Sequence, residues 1–374
     1  MNGKQEVVVL APLFNRLPVE GYGAIERVTI EKVRALHRSG FKVQFVGPID
    51  LFDDIEELLR VSKVFQYPTT SFERFAWLFN FNWTRYVHTF IKLRREIWRA
   101  PILSDAGAMD PLNNFFLAKN LGSERFLFFL HGNHYLTNGI GKFAFLPIDV
   151  LTNISKKMNY AVLNTRLYSY MNKLNYNVNY MPNGIDFPEK NKIVSKPEDY
   201  FVFIGAINRF KAPHLAIELA NRLGTKLIII GPKNDNVYYK QYIEPQLNSK
   251  IKYFGEIKRN ELVEILRYAQ SLIFTSIWNE PQGMVILEAL SYGVPVLSLN
   301  SGYYSGNYDM IEQGKTGLIG DIEVILKHCE EIFSLDRYTV REKAFVKWSW
   351  DAVIKNYYKP VITKLDVSLG RSQK

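Results

Sequence analysis

Short apolar runs alternate with amphipathic, helix-length segments along this chain, and the alternation begins twice. Residues 7–10 read as a buried strand. Residues 24–39 read as a helix with Ile25, Val28, Val33 and Leu36 on one face, and Gly40 ends it. Residues 41–46 follow as a second strand, so the three segments make a parallel crossover unit. Further strands are predicted at 126–130, 160–163 and 179–181, the last running into the turn Pro182-Asn183-Gly184. A polar stretch, 189–199, reads as a linker, and beyond it the pattern restarts. Strands are predicted at 200–204, 226–230, 251–254, 271–275 and 295–299, with helices at 213–223, 259–269 and 283–292. Trp348-Ser349-Trp350 leads into a last helix over 350–364. Strands alternating with helices in both halves imply two doubly wound α/β domains.

The sharpest chemical signal lies in the second half, between two of these strands. It reads Thr275-Ser276-Ile277-Trp278-Asn279-Glu280-Pro281-Gln282-Gly283-Met284-Val285-Ile286-Leu287-Glu288. Glu280 and Glu288 flank a Pro-x-Gly turn that opens an apolar helix. The turn sits at the carboxyl end of a buried strand, where open α/β sheets bind ligands. Backbone N–H groups at Gly283, Met284 and Val285 would lie at a helix start, which attracts phosphate. A carboxylate five residues into the helix lies about 7.5 Å farther along its axis, a reach that suits hydroxyls beside a diphosphate. A plainer reading makes Glu280 a helix cap and Glu288 a solvated helix residue. The turn, the helix and the two carboxylates together suggest a site for a sugar nucleotide.

Composition narrows the classes. At 374 residues and 47% hydrophobic, the chain suggests two domains of ordinary size, each with its own core. Cys329 is the single cysteine, which excludes an internal disulfide and fits a reducing compartment. No apolar run approaches the ~20 residues that span a bilayer, and the first ten residues lack a signal-peptide pattern. The expectation is a cytoplasmic protein. The net charge of +10 and pI of about 9.3 point to nucleic acid, anionic lipid or phosphate-bearing substrates. Zinc-ligand spacing and aromatic ribonucleoprotein motifs are both missing, so no nucleic-acid partner is expected. No His/Cys/Asp/Glu group has metal-ligand spacing, and neither a metal nor a cofactor is expected.

The segment from Glu280 to Glu288 resembles the donor-site motif of retaining GT-B glycosyltransferases of family 4, with Gln282 where that family carries Phe. A second stretch, Gly205-Ala206-Ile207-Asn208-Arg209-Phe210-Lys211-Ala212, is similar to the family's Gly-Arg-(Ile/Leu), three residues, Lys-Gly. Lys211 falls on the family's diphosphate-binding Lys. Ala206 occupies the Arg position, and Arg209, three residues on, is a candidate for the missing cation. The resemblance implies two Rossmann-like α/β domains facing a central cleft. An acceptor-binding domain is expected over 1–185 and a nucleotide-sugar donor domain over 198–347. Residues 348–374 would hold a helix crossing back to the first domain, and the tail. It also implies metal-independent transfer of a hexose, with retention, from a nucleotide diphosphate sugar to a hydroxyl. Glu280 would contact sugar hydroxyls and Glu288 the ribose, while Lys211 and the N–H groups at 283–285 would meet the leaving diphosphate. A sugar-nucleotide epimerase and a non-catalytic membrane-associated adaptor of the same fold are the alternatives.

In the first half, Gly21-Tyr22-Gly23-Ala24-Ile25-Glu26-Arg27-Val28 resembles the family's Gly-Tyr-Gly-Gly-x-Glu-Arg-Val. Gly23 would let the backbone approach a ligand closely. Leu130-His131-Gly132 resembles the family's Leu-His-Gly, which implies that His131 faces the transferred sugar. Residues 84–99 carry Arg85, Lys92, Arg94, Arg95 and Arg99 among aromatic and aliphatic residues, after the aromatic run 75–83. They read either as a core helix with a solvated basic face or as a helix lying in a membrane interface. Under the second reading residues 65–100 would serve a lipid-linked acceptor, and the protein would sit peripherally on the cytoplasmic membrane face.

Overall fold

The computed structural model describes residues 5–11, 24–46, 63–65, 100–105, 123–131 and 156–368. Two compact units divide the chain. One comprises the chain up to Asn183 together with the chain from Val353 onward, and the other is Gly184–Ala352.

The first unit is built on a seven-stranded sheet. Its strands are β1 (Glu6–Leu10), β2 (Lys42–Val46), β3 (Lys63–Phe65), β4 (Ile102–Ser104), β5 (Phe126–Phe129), β6 (Asn159–Val162) and β7 (Asn177–Tyr180). They run in the order β3-β2-β1-β4-β5-β6-β7, and every pairing is parallel. Helix α1 (Ala24–Arg38) makes the crossover from β1 to β2. Parallel strands are covered on both faces, so they read as continuous apolar runs. Val7–Ala11 and Phe126–Phe129 are accordingly buried throughout. The strand order reverses direction between β1 and β4, which is the switch point where such sheets take ligands.

The second unit has a six-stranded parallel sheet made of β8 (Tyr200–Ile204), β9 (Lys226–Ile230), β10 (Ile251–Gly255), β11 (Ser271–Phe274), β12 (Val296–Leu299) and β13 (Gly317–Gly320). The order is β10-β9-β8-β11-β12-β13, so its switch point lies between β8 and β11. Phe201, Leu227, Ile229, Ile273 and Leu297 form the inner layer, with Ile217 and Ala220 of one helix and Ile325 and Cys329 of another packed on it. β13 escapes a hydrophobic-pattern search because it begins and ends in glycine. A Cβ at Gly317 would collide with the Val296 carbonyl oxygen of β12, so the strand fits only without one.

A helical stretch closes the chain: Trp350–Val353, a π-helical turn Ile354–Tyr358, and Lys359–Ser368. Within the second unit, Trp350 donates its N–H to the Ile185 carbonyl, and Ile185 donates to that of Trp348. Within the first unit, Tyr358 stacks on Phe129 at 5.8 Å, Tyr357 meets Tyr180 edge-on at 5.1 Å, and Gln5 donates to Asp366 at 2.6 Å. Both halves are therefore doubly wound α/β sheets, as the alternation of strands and helices predicts. Among the described residues no helix is long and apolar enough to cross a membrane. The expected basic helix at 84–99 lies outside the described residues.

Candidate functional site

Two loops leave the second sheet on either side of its switch point, and each carries one charge of a pair. The first follows β8. Asn208 Oδ1 accepts from the N–H groups of Phe210 and Lys211 at 3.0 and 2.9 Å, an Asx turn that curls the loop back. Ala212 then takes a left-handed conformation, φ 48°, and Pro213 opens helix α2 (Pro213–Leu223) with its fixed φ. The second loop follows β11. Thr275 shares its hydroxyl between the carbonyls of Lys211 and Ala212 at 2.8 and 3.0 Å, and Ile277 N–H donates to the Phe210 carbonyl at 2.9 Å. The two loops are thus laced together by their backbones before any charge is considered.

On that frame Lys211 Nζ pairs with Glu280 Oε2. The side chains are 20% and 14% exposed, so the pair is partly shielded yet open to a ligand. The same oxygen accepts from Trp278 Nε1 at 2.7 Å and Ser276 Oγ at 3.3 Å. Lys211 Nζ also lies 5.6 Å from the centre of the Trp278 ring. A third loop, after β12, holds this arrangement from outside. Gly306 N–H donates to the Glu280 carbonyl at 2.8 Å, and Tyr304 N–H to Asn279 Oδ1 at 3.0 Å. Arg209 is exposed on the first loop.

Helix α3 (Arg259–Tyr268) and helix α4 (Met284–Ser291) complete the site. Gly283 caps α4 at φ 75°, a left-handed position where a Cβ would also press on the Phe274 ring at 3.3 Å. Met284 and Val285 form the first turn, whose N–H groups have no carbonyl one turn back and carry the positive end of the helix dipole. Glu288, one turn farther on, is buried and accepts from Arg259 Nη1 at 3.0 Å. Lys211, Glu280 and the 283–285 turn thus lie within one laced group of loops, and Glu288 belongs to the helix that this turn opens. Trp278, Ser276 and Arg259 escaped the sequence reading. The Trp-x-Glu spacing was visible in it, but nothing distinguished that indole from a core residue.

His131 belongs to the first unit, two residues beyond β5. Its Nε2 lies 2.9 Å from Asp105 Oδ1. Asp105 follows β4 immediately, at that sheet's own switch point. Lys32, reaching in from α1, donates to the same oxygen at 2.5 Å, Thr29 donates to Oδ2 at 2.7 Å, and Lys32 lies over the Phe129 ring at 3.8 Å. Burial alone would push the Asp105 carboxyl up. The Lys32 charge and the His131 hydrogen bond outweigh it and hold the group well below the usual carboxylate range. Burial likewise draws the Lys32 ammonium down, against the pull of Asp105. His131 is therefore tethered by a buried ion pair that the sequence reading missed. Gly23 lies outside the described residues.

Residues 186–332 match the family model described as glycosyl transferases group 1. Spore coat protein SA of Bacillus subtilis (strain 168) is 24% identical over 178 residues, which cover 41% of this chain and 46% of that protein. The chain thus spans about half the length of this curated relative. Sucrose-phosphate synthase from Thermosynechococcus elongatus superimposes with a TM-score of 0.74 at 13% identity, over 98% of this chain and all (100%) of that one. Anabaena Alr3699/HepE, solved in complex with UDP and glucose, superimposes with a TM-score of 0.66 at 14% identity, over 96% and 100%. Likeness at such identities establishes the fold. In fold the chain is GT-B, and its residues 186–332 match the group 1 glycosyltransferase family model.

Proposed function

We propose that the protein transfers a hexose from a nucleoside diphosphate sugar to a hydroxyl of a glycan, glycolipid or lipid-linked acceptor, with retention at the anomeric carbon and without a metal ion. The observation that carries this reading is the Lys211–Glu280 pair, set across the switch point of the second sheet with Glu280 in the loop that begins α4. A diphosphate needs cationic and N–H partners, and a sugar needs a carboxylate that accepts from hydroxyls. Lys211, the exposed Arg209 and the turn at 283–285 supply the first, and Glu280 the second. HepE, with UDP and glucose on the same fold, supports a nucleotide sugar as donor.

In the reaction the bond from the anomeric carbon to the diphosphate oxygen breaks, and its electron pair leaves with the diphosphate. The acceptor hydroxyl oxygen bonds to that carbon from the same face, and its proton passes to the departing phosphate oxygen. Lys211 meets the negative charge as it grows, which is commonly the largest catalytic contribution. Glu280 fixes the sugar and sits near the positive charge of the oxocarbenium-like centre. Buried Glu288, held by Arg259, suits the ribose hydroxyls.

A panel of UDP-, GDP- and ADP-sugars tests the reading by thermal stabilisation and by slow hydrolysis of the donor. One of them should raise the melting temperature, because a ligand of the folded state stabilises it, and should be split to nucleoside diphosphate and free sugar. A protein that binds one but never cleaves it, with or without glycan acceptors, would be an adaptor. Binding of none would end the transferase reading.

A further inference from the structure

The Glu280 carboxylate is loaded on one side only. Lys211 Nζ, Trp278 Nε1 and Ser276 Oγ all reach Oε2, and among the described residues no donor reaches Oε1. A carboxylate held by three donors on one oxygen cannot rotate freely about its last bond, so its other oxygen keeps one direction. Of the three donors, Lys211 is a charge that a diphosphate would compete for, and Ser276 is the most distant. The indole N–H at 2.7 Å is short, donates in one direction only, and sits on a rigid ring. That ring is set by Phe210, 6.5 Å away between centres, and by the Trp278 carbonyl, which accepts from Gly302 N–H at 3.3 Å.

We propose that Trp278 is a positioning residue for sugar recognition: its N–H pins Glu280 Oε2, so that Oε1 is presented as a fixed acceptor to hydroxyls of the donor sugar while Lys211 turns to the diphosphate. This rests on the transferase reading above. It adds that sugar orientation is set by a neutral donor that survives donor binding, not by the ion pair. Trp278 itself does not touch the reacting atoms. It acts through Glu280, and its loss is felt in the sugar and not in the nucleotide.

The test uses the full chain and whichever of UDP-, GDP- or ADP-glucose the parent protein hydrolyses. Trp278→Phe removes the N–H and keeps an aromatic ring beside Phe210 and Lys211. Turnover should fall about tenfold, as for one lost hydrogen bond to a charged group. The dissociation constant of the free nucleoside diphosphate should stay within about twofold of the parent's. Combining Trp278→Phe with Glu280→Gln should cost no more than Glu280→Gln alone, because the indole acts through that carboxylate. Should Trp278→Phe fail to fold, benzothienylalanine at 278 keeps the ring shape, puts sulfur in place of the N–H, and should give the same loss. Unchanged turnover in the folded variant overturns the proposal and leaves the transferase reading standing. So does a loss shared equally between nucleotide affinity and turnover, or one that adds to Glu280→Gln. If the parent chain binds and hydrolyses none of the three donors, the transferase reading itself falls and takes this proposal with it.

Discussion

Lys211 and Glu280 stand 69 positions apart in the chain and meet as a partly buried ion pair, one on each side of the switch point of the second sheet. A pair of this kind is worth little to stability in isolation. Its position suggests that each charge waits for a ligand. Lys211→Ala should lower kcat/KM by about two to three orders of magnitude, as when a donor to a developing oxyanion is lost. Steady-state kinetics with the accepted donor checks this, and parent-like kinetics would remove Lys211 from the diphosphate.

Glu280→Gln keeps the shape and removes the charge. Turnover should drop far more than affinity for the nucleoside diphosphate, because the role proposed for the carboxylate is to contact the sugar. Calorimetry with the free nucleotide beside donor hydrolysis separates the two effects. An equal loss in both would assign Glu280 to nucleotide binding.

Glu288 should show the opposite division. Glu288→Ala removes a buried carboxylate that Arg259 holds at 3.0 Å, and nucleoside diphosphate affinity should fall about tenfold or more. Arg259→Ala, on the half-exposed partner, should give a smaller loss in the same direction. A 2′-deoxy nucleotide provides the check: if Glu288 reads the ribose, the deoxy compound loses affinity for the parent and little for Glu288→Ala.

Asp105 gives a prediction on pH. Its carboxyl is held below the usual range, so the folded state keeps it ionised where the unfolded chain already binds a proton. Its contribution is complete above the unfolded value of about 3.9 and is lost as pH falls from there through the folded value. Asp105→Asn should flatten that acid limb. It should also cost about 3–5 kcal/mol near neutrality, since Lys32 would be left charged and buried without its partner. Urea titrations across pH measure both. An Asp105→Asn protein as stable as the parent would mean that Lys32 sheds its proton cheaply.

Ala212 offers a change in the opposite direction. It holds φ 48°, where a Cβ is strained by about 1–2 kcal/mol, and the resembling family carries glycine there. Ala212→Gly should relieve more strain than it adds in unfolded-state entropy and raise stability by about 0.5 kcal/mol. Thermal unfolding with kinetics as a control decides the matter.

The α/β alternation was legible because buried parallel strands are continuous apolar runs and because glycines mark their ends. β3 and β4, each of three residues, are too short to show periodicity, and β13 hides between two glycines. Three helices were passed over although their caps were written in the chain. Asn164, Asp321 and Asp336 each accept an N–H from the first turn of Thr165–Lys173, Ile322–Phe333 and Arg337–Trp348. At the site, Glu280, Glu288 and Lys211 were visible as spaced charges in loops and a helix start. Trp278 and Asp105 were not, since an indole in a loop and an aspartate after a three-residue strand carry no local pattern. Their roles come from what the sheet order brings beside them.

The chain leaves the first unit at Asn183 and rejoins it only at Val353. Tyr358 and Ile362, both wholly inaccessible to solvent, are therefore among the last pieces of that unit to leave the ribosome. The 184–352 unit is one continuous stretch of chain, whereas the earlier one takes the ring that stacks on Phe129 from beyond it. The first unit thus closes on a helix far from its strands in sequence, while the middle of the polypeptide needs no such return. A stop codon just before Val353 would spare the later-encoded unit and strand the earlier one half-made, a ready client for chaperones.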